Sequence, residues 1–160
     1  MSKIYKSLTE LIGKTPLMNA ENFKRKLDLK ANLLVKLEYL NPAGSVKDRI
    51  GKYMIADAEK KGLLKSGGTI IEGTAGNTGL GIAFAALNRG YRVIFVVPAK
   101  FSEEKQILMR ALGAEIINTP REEGMLGAAK RAEELKQSIS GAVSFKQFEN
   151  QSNPLAHYET

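Results

Sequence analysis

Cysteine is absent from this 160-residue sequence, and histidine occurs only once, as His157. Without cysteine the chain has no disulfide bonds, no thiolate metal ligands and no cysteine nucleophile. A lone histidine near the C-terminal end has no partner for a histidine-based zinc site or a Ser-His-Asp triad. The composition therefore predicts no metal site, and it excludes these kinds of catalytic centre.

Long apolar runs are also absent. No segment approaches the roughly 20 continuous apolar residues that a membrane-spanning helix needs. The amino-terminal segment contains Glu10 and Gly13, which interrupt the apolar stretch expected of a secretory signal. We therefore expect a cytoplasmic protein with no membrane partner.

The residues that are present suit one folded domain with a positive surface. Apolar residues make up 43% of the chain, enough for a core. The 24 Lys and Arg against 17 Asp and Glu give a formal charge of +7, which suits anionic ligands or nucleic acid. The most basic stretch, 24–30, has no aromatic residue for stacking on bases. We interpret it as a solvated helix face and expect no nucleic-acid partner.

Short apolar runs alternate with stretches of helical periodicity, a pattern typical of strand-helix-strand units. A serine, asparagine or threonine opens three of the predicted helices, and a glycine closes each of those three. Strands joined through such helices pair in parallel with right-handed crossovers. The predicted fold class is therefore α/β, a doubly wound parallel sheet in a three-layer αβα arrangement. Predicted strands lie at 70–72, 92–97, 115–118 and 142–145, a strand at 32–38 has no assigned place, and helices lie at 45–62, 77–90, 102–113 and 124–138.

A glycine-dense turn, Gly73-Thr74-Ala75-Gly76-Asn77-Thr78-Gly79, leads from the 70–72 strand directly into a helix. Ligands of parallel sheets collect at this carboxyl edge of the strands. The glycines allow a close backbone approach, and the helix N-terminus attracts an anion such as phosphate or carboxylate. A tight turn with one positive φ would explain one glycine but not the Thr-Asn-Thr set. The spacing matches neither a Walker loop nor the dinucleotide-binding fingerprint.

Lys47 falls in the first turn of the predicted 45–62 helix, where the positive end of the helix dipole opposes an ammonium group. A neutral lysine amine can form a Schiff base with a carbonyl compound. On local grounds alone a solvated lysine is the favoured interpretation. We interpret Asp48 and Arg49 as surface residues that pair with their neighbours.

Gln147 follows the 142–145 strand, again at the ligand edge of the predicted sheet. Its amide could hold a carboxylate, or it could belong to an ordinary polar loop. The residues themselves leave both interpretations open.

Four motifs occur in order along the chain: IGKTPL (12–17), LEYLNPAGSVKDR (37–49), EGTAGNTGLGIA (72–83) and QFENQSNP (147–154). Their combination resembles the cysteine synthases, the O-acetylserine sulfhydrylase group of fold-type II pyridoxal-phosphate enzymes, to which cystathionine β-synthases are closely related. The resemblance runs from about Leu8 to the last residue. It implies the small N-terminal domain of that fold type, with pyridoxal 5'-phosphate as cofactor.

The resemblance also implies roles for individual residues. Lys47 matches the lysine that binds the cofactor covalently and then acts as the acid and base. Asn77 matches the asparagine that contacts the ring hydroxyl of the cofactor. The implied reaction is a β-replacement, in which O-acetylserine and sulfide give cysteine and acetate. The substrate carboxylate would be held by Thr74, Ala75, Gly76, Asn77, Thr78 and Gln147.

Two departures from the family pattern qualify that expectation. Ala75 stands where cysteine synthases commonly have serine, and the resemblance covers only the N-terminal half of the family, without its Gly/Thr-rich phosphate loop. We therefore expect a chain that is impaired or inactive alone, with either a second copy in a homodimer or a complementing C-terminal half as its partner. The alternatives are a cystathionine β-synthase-like enzyme acting on serine and homocysteine, and a non-catalytic binding module. The predicted divisions are 1–44, packing on a large domain, 45–150, the α/β domain, and 151–160, the start of the large domain.

Overall fold

The computed structural model describes residues 4–160 and contains a parallel sheet covered by helices on both faces. Three strands form this sheet in the order β3-β4-β5, and two shorter strands form a separate antiparallel pair. The strands are β1 (Leu17–Asn19), β2 (Leu34–Lys36), β3 (Thr69–Gly73), β4 (Arg92–Pro98) and β5 (Glu115–Thr119). The helices are α1 (Glu21–Lys26), α2 (Lys47–Lys60), α3 (Asn77–Ala86), α4 (Glu103–Ala111), α5 (Gly124–Ser138) and α6 (Ser152–Glu159).

Alternation along the central strand β4 builds two cores, one on each side of the sheet. Ile94 and Val96 face α5, whereas Phe95 and Val97 face the layer made by α2, α3 and α4. All four side chains are buried, and each such burial contributes about 1.5–3 kcal/mol of hydrophobic stabilisation. The three-layer αβα architecture predicted from the sequence is therefore confirmed.

The capping signals locate both ends of α4 and the end of α2 correctly. The Ser102 hydroxyl accepts the Lys105 N–H at the start of α4, and Gly113 after that helix has φ +88°. Gly62 ends α2 in the same left-handed conformation, with φ +69°. The helix predicted to run to Gly90 is shorter, because α3 ends at Ala86 and the residues up to Gly90 form turns.

The strand predicted at 142–145 is wrong in its extent. Only Val143 pairs with β3, through one parallel bridge to Ile70. Its N–H donates to the Thr69 carbonyl oxygen and its carbonyl oxygen accepts the Ile71 N–H, both at 2.8 Å. Beyond Val143 the backbone N–H groups turn towards the side chain of Glu72 instead of towards the backbone of β3, so the ladder stops.

The amino-terminal part also differs from the prediction. The 32–38 strand is reduced to β2, which pairs with β1 apart from the main sheet. The basic stretch 24–30 includes the end of α1, an exposed helix, and the sequence patterns missed α6, which packs against α2.

Candidate active site

Two glycines allow α2 and α3 to cross with their backbones in contact. A Cβ atom added to Gly51 would lie 2.5 Å from the carbonyl oxygen of Gly81. One added to Gly81 would lie 2.8 Å from the carbonyl carbon of Lys47, and closer still to its oxygen. Since no side chain fits between the helices here, the first residue of α2 lies directly against the second turn of α3. The crossing therefore brings Lys47 next to the helix that follows the glycine-dense turn.

The loop before Lys47 is held in place by the residues around it. The Ser45 hydroxyl accepts the Lys47 N–H at 3.1 Å. The carboxylate of Asp48 accepts the Ala43 N–H at 2.6 Å and lies within 3.5 Å of the Ser45 hydroxyl. Asp48 is fully buried, and this burial raises the pKa of its carboxyl group despite the hydrogen bonds. The start of α2 is thus fixed on both sides of Lys47.

Arg49 anchors α2 to the preceding chain by a forked ion pair with Glu38. Its Nε and Nη2 atoms donate to the two carboxylate oxygens at 2.8 Å and 2.7 Å. Thr15 adds its hydroxyl, which donates to Glu38 at 2.6 Å. Hydrogen bonding by Arg49 lowers the pKa of Glu38 to about 2. The interpretation of Asp48 and Arg49 as surface residues was wrong, because both are buried parts of the support for Lys47.

The glycine-dense turn follows β3 and opens α3 without a side-chain cap among the described residues. Its early part is engaged inside the protein, since Thr74 is buried and its N–H donates to the Val96 carbonyl oxygen at 3.1 Å. Ala75 and Gly76 are half-buried, and Asn77 is exposed at the first position of the helix. An uncapped helix start presents backbone N–H groups and the positive end of the dipole, which together suit an anion.

Gln147 lies beside this turn although 69 residues separate it from Thr78. The Thr78 hydroxyl donates to the Gln147 side-chain oxygen at 2.7 Å, and both residues are buried. Two of the residues predicted for substrate binding are therefore in direct contact. A cleft of about 440 Å³ opens beside Gln147, with Gly73, Met125, Leu126 and Phe148 among its walls.

The sequence patterns missed Glu72, the acidic residue at the end of β3. Its carboxylate is 4% exposed and accepts the N–H groups of Phe145, Lys146 and Gln147 at 2.9, 3.3 and 3.4 Å. Burial raises the pKa of Glu72, and these N–H groups oppose that rise. A carboxylate that ends an otherwise apolar strand was the available signal, because a buried charge requires hydrogen-bond donors.

The donor set fits a cofactor that carries an aldehyde, together with a separate anionic ligand. Lys47 supplies an amine on a half-buried side chain, and the α3 N-terminus supplies an anion site on the helix that Lys47 contacts. Within residues 4–160 no cluster of three or more His, Asp or Glu side chains could hold a metal ion. No helix in the same range is long and apolar enough to cross a membrane.

Comparison with known proteins gives matches along nearly the whole chain. The family model described as pyridoxal-phosphate dependent enzyme matches residues 8–160. A cysteine synthase of Helicobacter pylori is 48% identical over 157 residues, which cover 98% of this chain and 51% of the relative. An O-acetylserine dependent cystathionine beta-synthase of Bacillus subtilis is 49% identical over 155 residues, covering 96% and 49%.

Solved structures agree with these relatives. The crystal structure of an O-acetylserine dependent cystathionine beta-synthase from Helicobacter pylori superposes with a TM-score of 0.91 at 48% identity, covering 99% of this chain and 52% of that one. A hydrogen sulfide-producing enzyme from Fusobacterium nucleatum gives a TM-score of 0.90 at 41% identity, with coverage of 98% and 52%. The chain spans about half the length of the relatives that it matches.

Proposed function

Because the chain belongs to the pyridoxal-phosphate dependent enzyme family, we propose that it carries the catalytic lysine and the substrate-binding turn of a β-replacement enzyme. The proposed reaction exchanges the acetate of O-acetylserine for sulfide and yields cysteine. One observation carries the proposal: the α2–α3 crossing brings Lys47 against the helix whose first turn contains Thr78, and Thr78 is hydrogen-bonded to Gln147. Relatives named cysteine synthase support the choice of reaction.

Lys47 performs the covalent and proton-transfer work in this proposal. Its Nζ would hold the cofactor through the aldehyde group, and the free amine would accept the α-proton of the substrate. When bound, pyridoxal phosphate supplies the electron sink that makes this proton acidic. The fixed start of α2 holds the lysine backbone still through these steps, since Ser45 and Asp48 hold the loop before it.

The glycine-dense turn binds the substrate carboxylate. The first N–H groups of α3, those of Asn77 and Thr78, lie on this short segment. Gln147 adds an amide whose oxygen is already engaged by Thr78, which leaves its N–H donors for the carboxylate. Asn77 is assigned to the cofactor ring hydroxyl. Movement of this turn onto the bound substrate would exclude water from the reacting atoms.

A second acceptor is favoured by one specific finding. The Bacillus subtilis relative is named an O-acetylserine dependent cystathionine beta-synthase, which points to a thiol amino acid in place of sulfide. The same lysine and the same carboxylate site serve either acceptor. The proposal therefore includes homocysteine beside sulfide as an acceptor.

We propose that the α/β unit of residues 45–150 works with a large domain, on which the 1–44 segment packs and which begins at 151–160; residues 1–3 of that segment lie outside the described range. The exposed apolar side chains of the β1–β2 pair, among them Leu17, Met18 and Leu34, support this arrangement. The partner is either the other half of such an enzyme or a second copy in a homodimer. We place the protein in the cytoplasm, and we expect the chain alone to bind the cofactor weakly.

Borohydride trapping tests the lysine. The chain is incubated with pyridoxal phosphate, reduced and digested, and the labelled peptide is identified by mass spectrometry. We expect labelling at Lys47, loss of the label in Lys47→Arg, and retention in the matched control Lys52→Arg on the same helix. Labelling spread over many lysines, or none at all, would favour the non-catalytic module.

Activity is measured with O-acetylserine and either sulfide or homocysteine, first with the chain alone. The assay is repeated after addition of the separately produced C-terminal half of the Helicobacter pylori cysteine synthase. We expect the added half to restore product formation. Turnover with neither acceptor, in spite of specific labelling at Lys47, would contradict the β-replacement.

A further inference from the structure

Glu72 is buried at the ligand edge of the sheet, where an apolar residue would complete β3 without the desolvation penalty of a carboxylate. The two residues before it in the strand, Ile70 and Ile71, are fully buried apolar side chains. A carboxylate in this position is stabilised only when donors surround it. Here those donors come from a single segment, 144–147, which lies about 70 positions away in the sequence.

The carboxylate of Glu72 accepts a hydrogen bond from every residue of that segment. The Oε2 atom accepts the Ser144 hydroxyl at 3.2 Å and the N–H groups of Phe145 and Lys146 at 2.9 and 3.3 Å. The Oε1 atom accepts the N–H of Gln147 at 3.4 Å. The backbone therefore wraps around the end of one side chain instead of continuing the β-ladder.

The backbone of this segment is strained. Lys146 has φ +48°, a left-handed conformation that lysine rarely adopts. Such a conformation persists only where the surroundings over-determine it. The N–H of Lys146 is one of the groups bonded to Glu72, so the carboxylate supplies part of that support.

The consequence reaches Gln147. Glu72 fixes its main-chain N–H, and Thr78 fixes its side-chain oxygen at 2.7 Å. With both ends fixed, the remaining N–H donors of the amide have a defined direction.

We infer that Glu72 is a positioning residue for substrate binding: it holds the 144–147 segment so that the Gln147 amide presents its donors to the carboxylate of an amino-acid substrate. This inference rests on the proposed function, because it takes the turn beside Thr78 as the carboxylate site. Glu72 itself does not touch the substrate; it acts through Gln147.

The test is an NMR titration of the ¹⁵N-labelled chain, without added cofactor, that compares the binding of two ligands. L-Alanine carries the substrate carboxylate without a leaving group, and L-alaninamide lacks the carboxylate. We expect Glu72→Gln, which keeps the shape but removes the charge, to weaken L-alanine binding about tenfold and to leave L-alaninamide binding unchanged. Glu72→Asp should recover at least half of that loss on a logarithmic scale, and Glu115→Gln, an exposed control, should bind as the wild type does.

Hydrogen exchange of the Gln147 side-chain amide gives a second readout that needs no ligand. We expect this exchange to be at least ten times faster in Glu72→Gln than in the wild type. In Glu72→Asp it should be slower than in Glu72→Gln. If Glu72→Gln fails to fold, as judged by circular dichroism, Ser144→Ala takes its place, with a smaller effect in the same direction. Removing the Ser144 hydroxyl takes away one donor to Glu72 from a half-buried position.

The outcomes separate the two hypotheses. If Glu72→Gln binds L-alanine with the affinity of the wild type, and the Gln147 side-chain amide exchanges at an unchanged rate, the role of Glu72 is overturned. The proposed function is then left intact. A wild-type chain that binds L-alanine no better than L-alaninamide would overturn the carboxylate site and the inference with it.

Discussion

Replacing Gly51 by alanine tests the packing that brings Lys47 to its place. The added methyl group would lie 2.5 Å from the carbonyl carbon and oxygen of Gly81 and 2.8 Å from the N atom of Ile82. All three are backbone atoms, so no side chain can rotate away. Ordinary contacts of a Cβ begin at 3.4 Å. The two helices must therefore separate by about 1 Å, which opens gaps between buried side chains on both helices.

The magnitude follows from two opposing effects. Alanine in a helix interior is favoured over glycine by about 1 kcal/mol. Overpacking of a rigid contact costs about 1–3 kcal/mol, and the separation of the packed layers adds lost dispersion contacts. We expect a net destabilisation of about 2 kcal/mol, or a fall of about 6 °C in the midpoint of thermal unfolding for a chain of 160 residues.

Urea unfolding followed by circular dichroism measures this change. The matched control is Gly76→Ala, because a Cβ at Gly76 meets nothing within 4 Å and its φ of −134° suits any residue. The control should stay within about 0.5 kcal/mol of the wild type. We also expect Gly51→Ala to lower the yield of cofactor trapped on Lys47. A Gly51→Ala protein as stable as the wild type would refute the backbone contact.

Three further predictions concern the ion pair, the turn and the contact between Thr78 and Gln147. Glu38 has a pKa of about 2, below its ordinary value of 4.5, so its ion pair with Arg49 stabilises the fold above pH 4.5 and is lost as the pH falls towards 2. Allowing for solvent screening, this ion pair contributes about 1–2 kcal/mol to the free energy of unfolding. The free energy of unfolding at pH 7 minus that at pH 3 should therefore be smaller by this amount in Glu38→Gln than in the wild type. An unchanged difference would contradict the role of the ion pair. Ala75→Ser adds a hydroxyl to the turn and should tighten O-acetylserine binding about tenfold in a calorimetric titration, whereas unchanged affinity would argue against carboxylate binding at position 75. Thr78→Val leaves the Gln147 oxygen unpaired and should cost about 1–3 kcal/mol of stability; a double-mutant cycle with Gln147→Leu should show coupling, and additive effects would refute the contact.

The sequence predicts those parts of the fold whose signals are local. The Ser102 cap, the glycines after α2 and α4, and the span of α5 all depend on neighbours within a few residues, and all are found. Strands β3 and β4 are predicted for the same reason, since apolar runs buried on both faces leave little choice of structure.

Contacts between distant segments could not be predicted. Nothing near 142–145 shows that its N–H groups bond to Glu72 rather than to β3. The burial of Arg49 likewise depends on Glu38 and Thr15, which approach from separate segments. For the candidate site, the motifs select Lys47, the turn and Gln147, whereas their supports, Asp48 and Glu72, are apparent only from the three-dimensional structure.

The late position of Gln147 in the chain has a consequence for biosynthesis. A nascent polypeptide that has emerged only as far as residue 140 already contains Lys47, the turn and all three strands of the sheet. It lacks the residues that pair with Ile70 and surround Glu72, so that carboxylate has none of its donors. Residue 147 must therefore be available before the Glu72 carboxylate can accept all of its hydrogen bonds. Purified chains truncated on either side of this position should differ sharply in protease resistance.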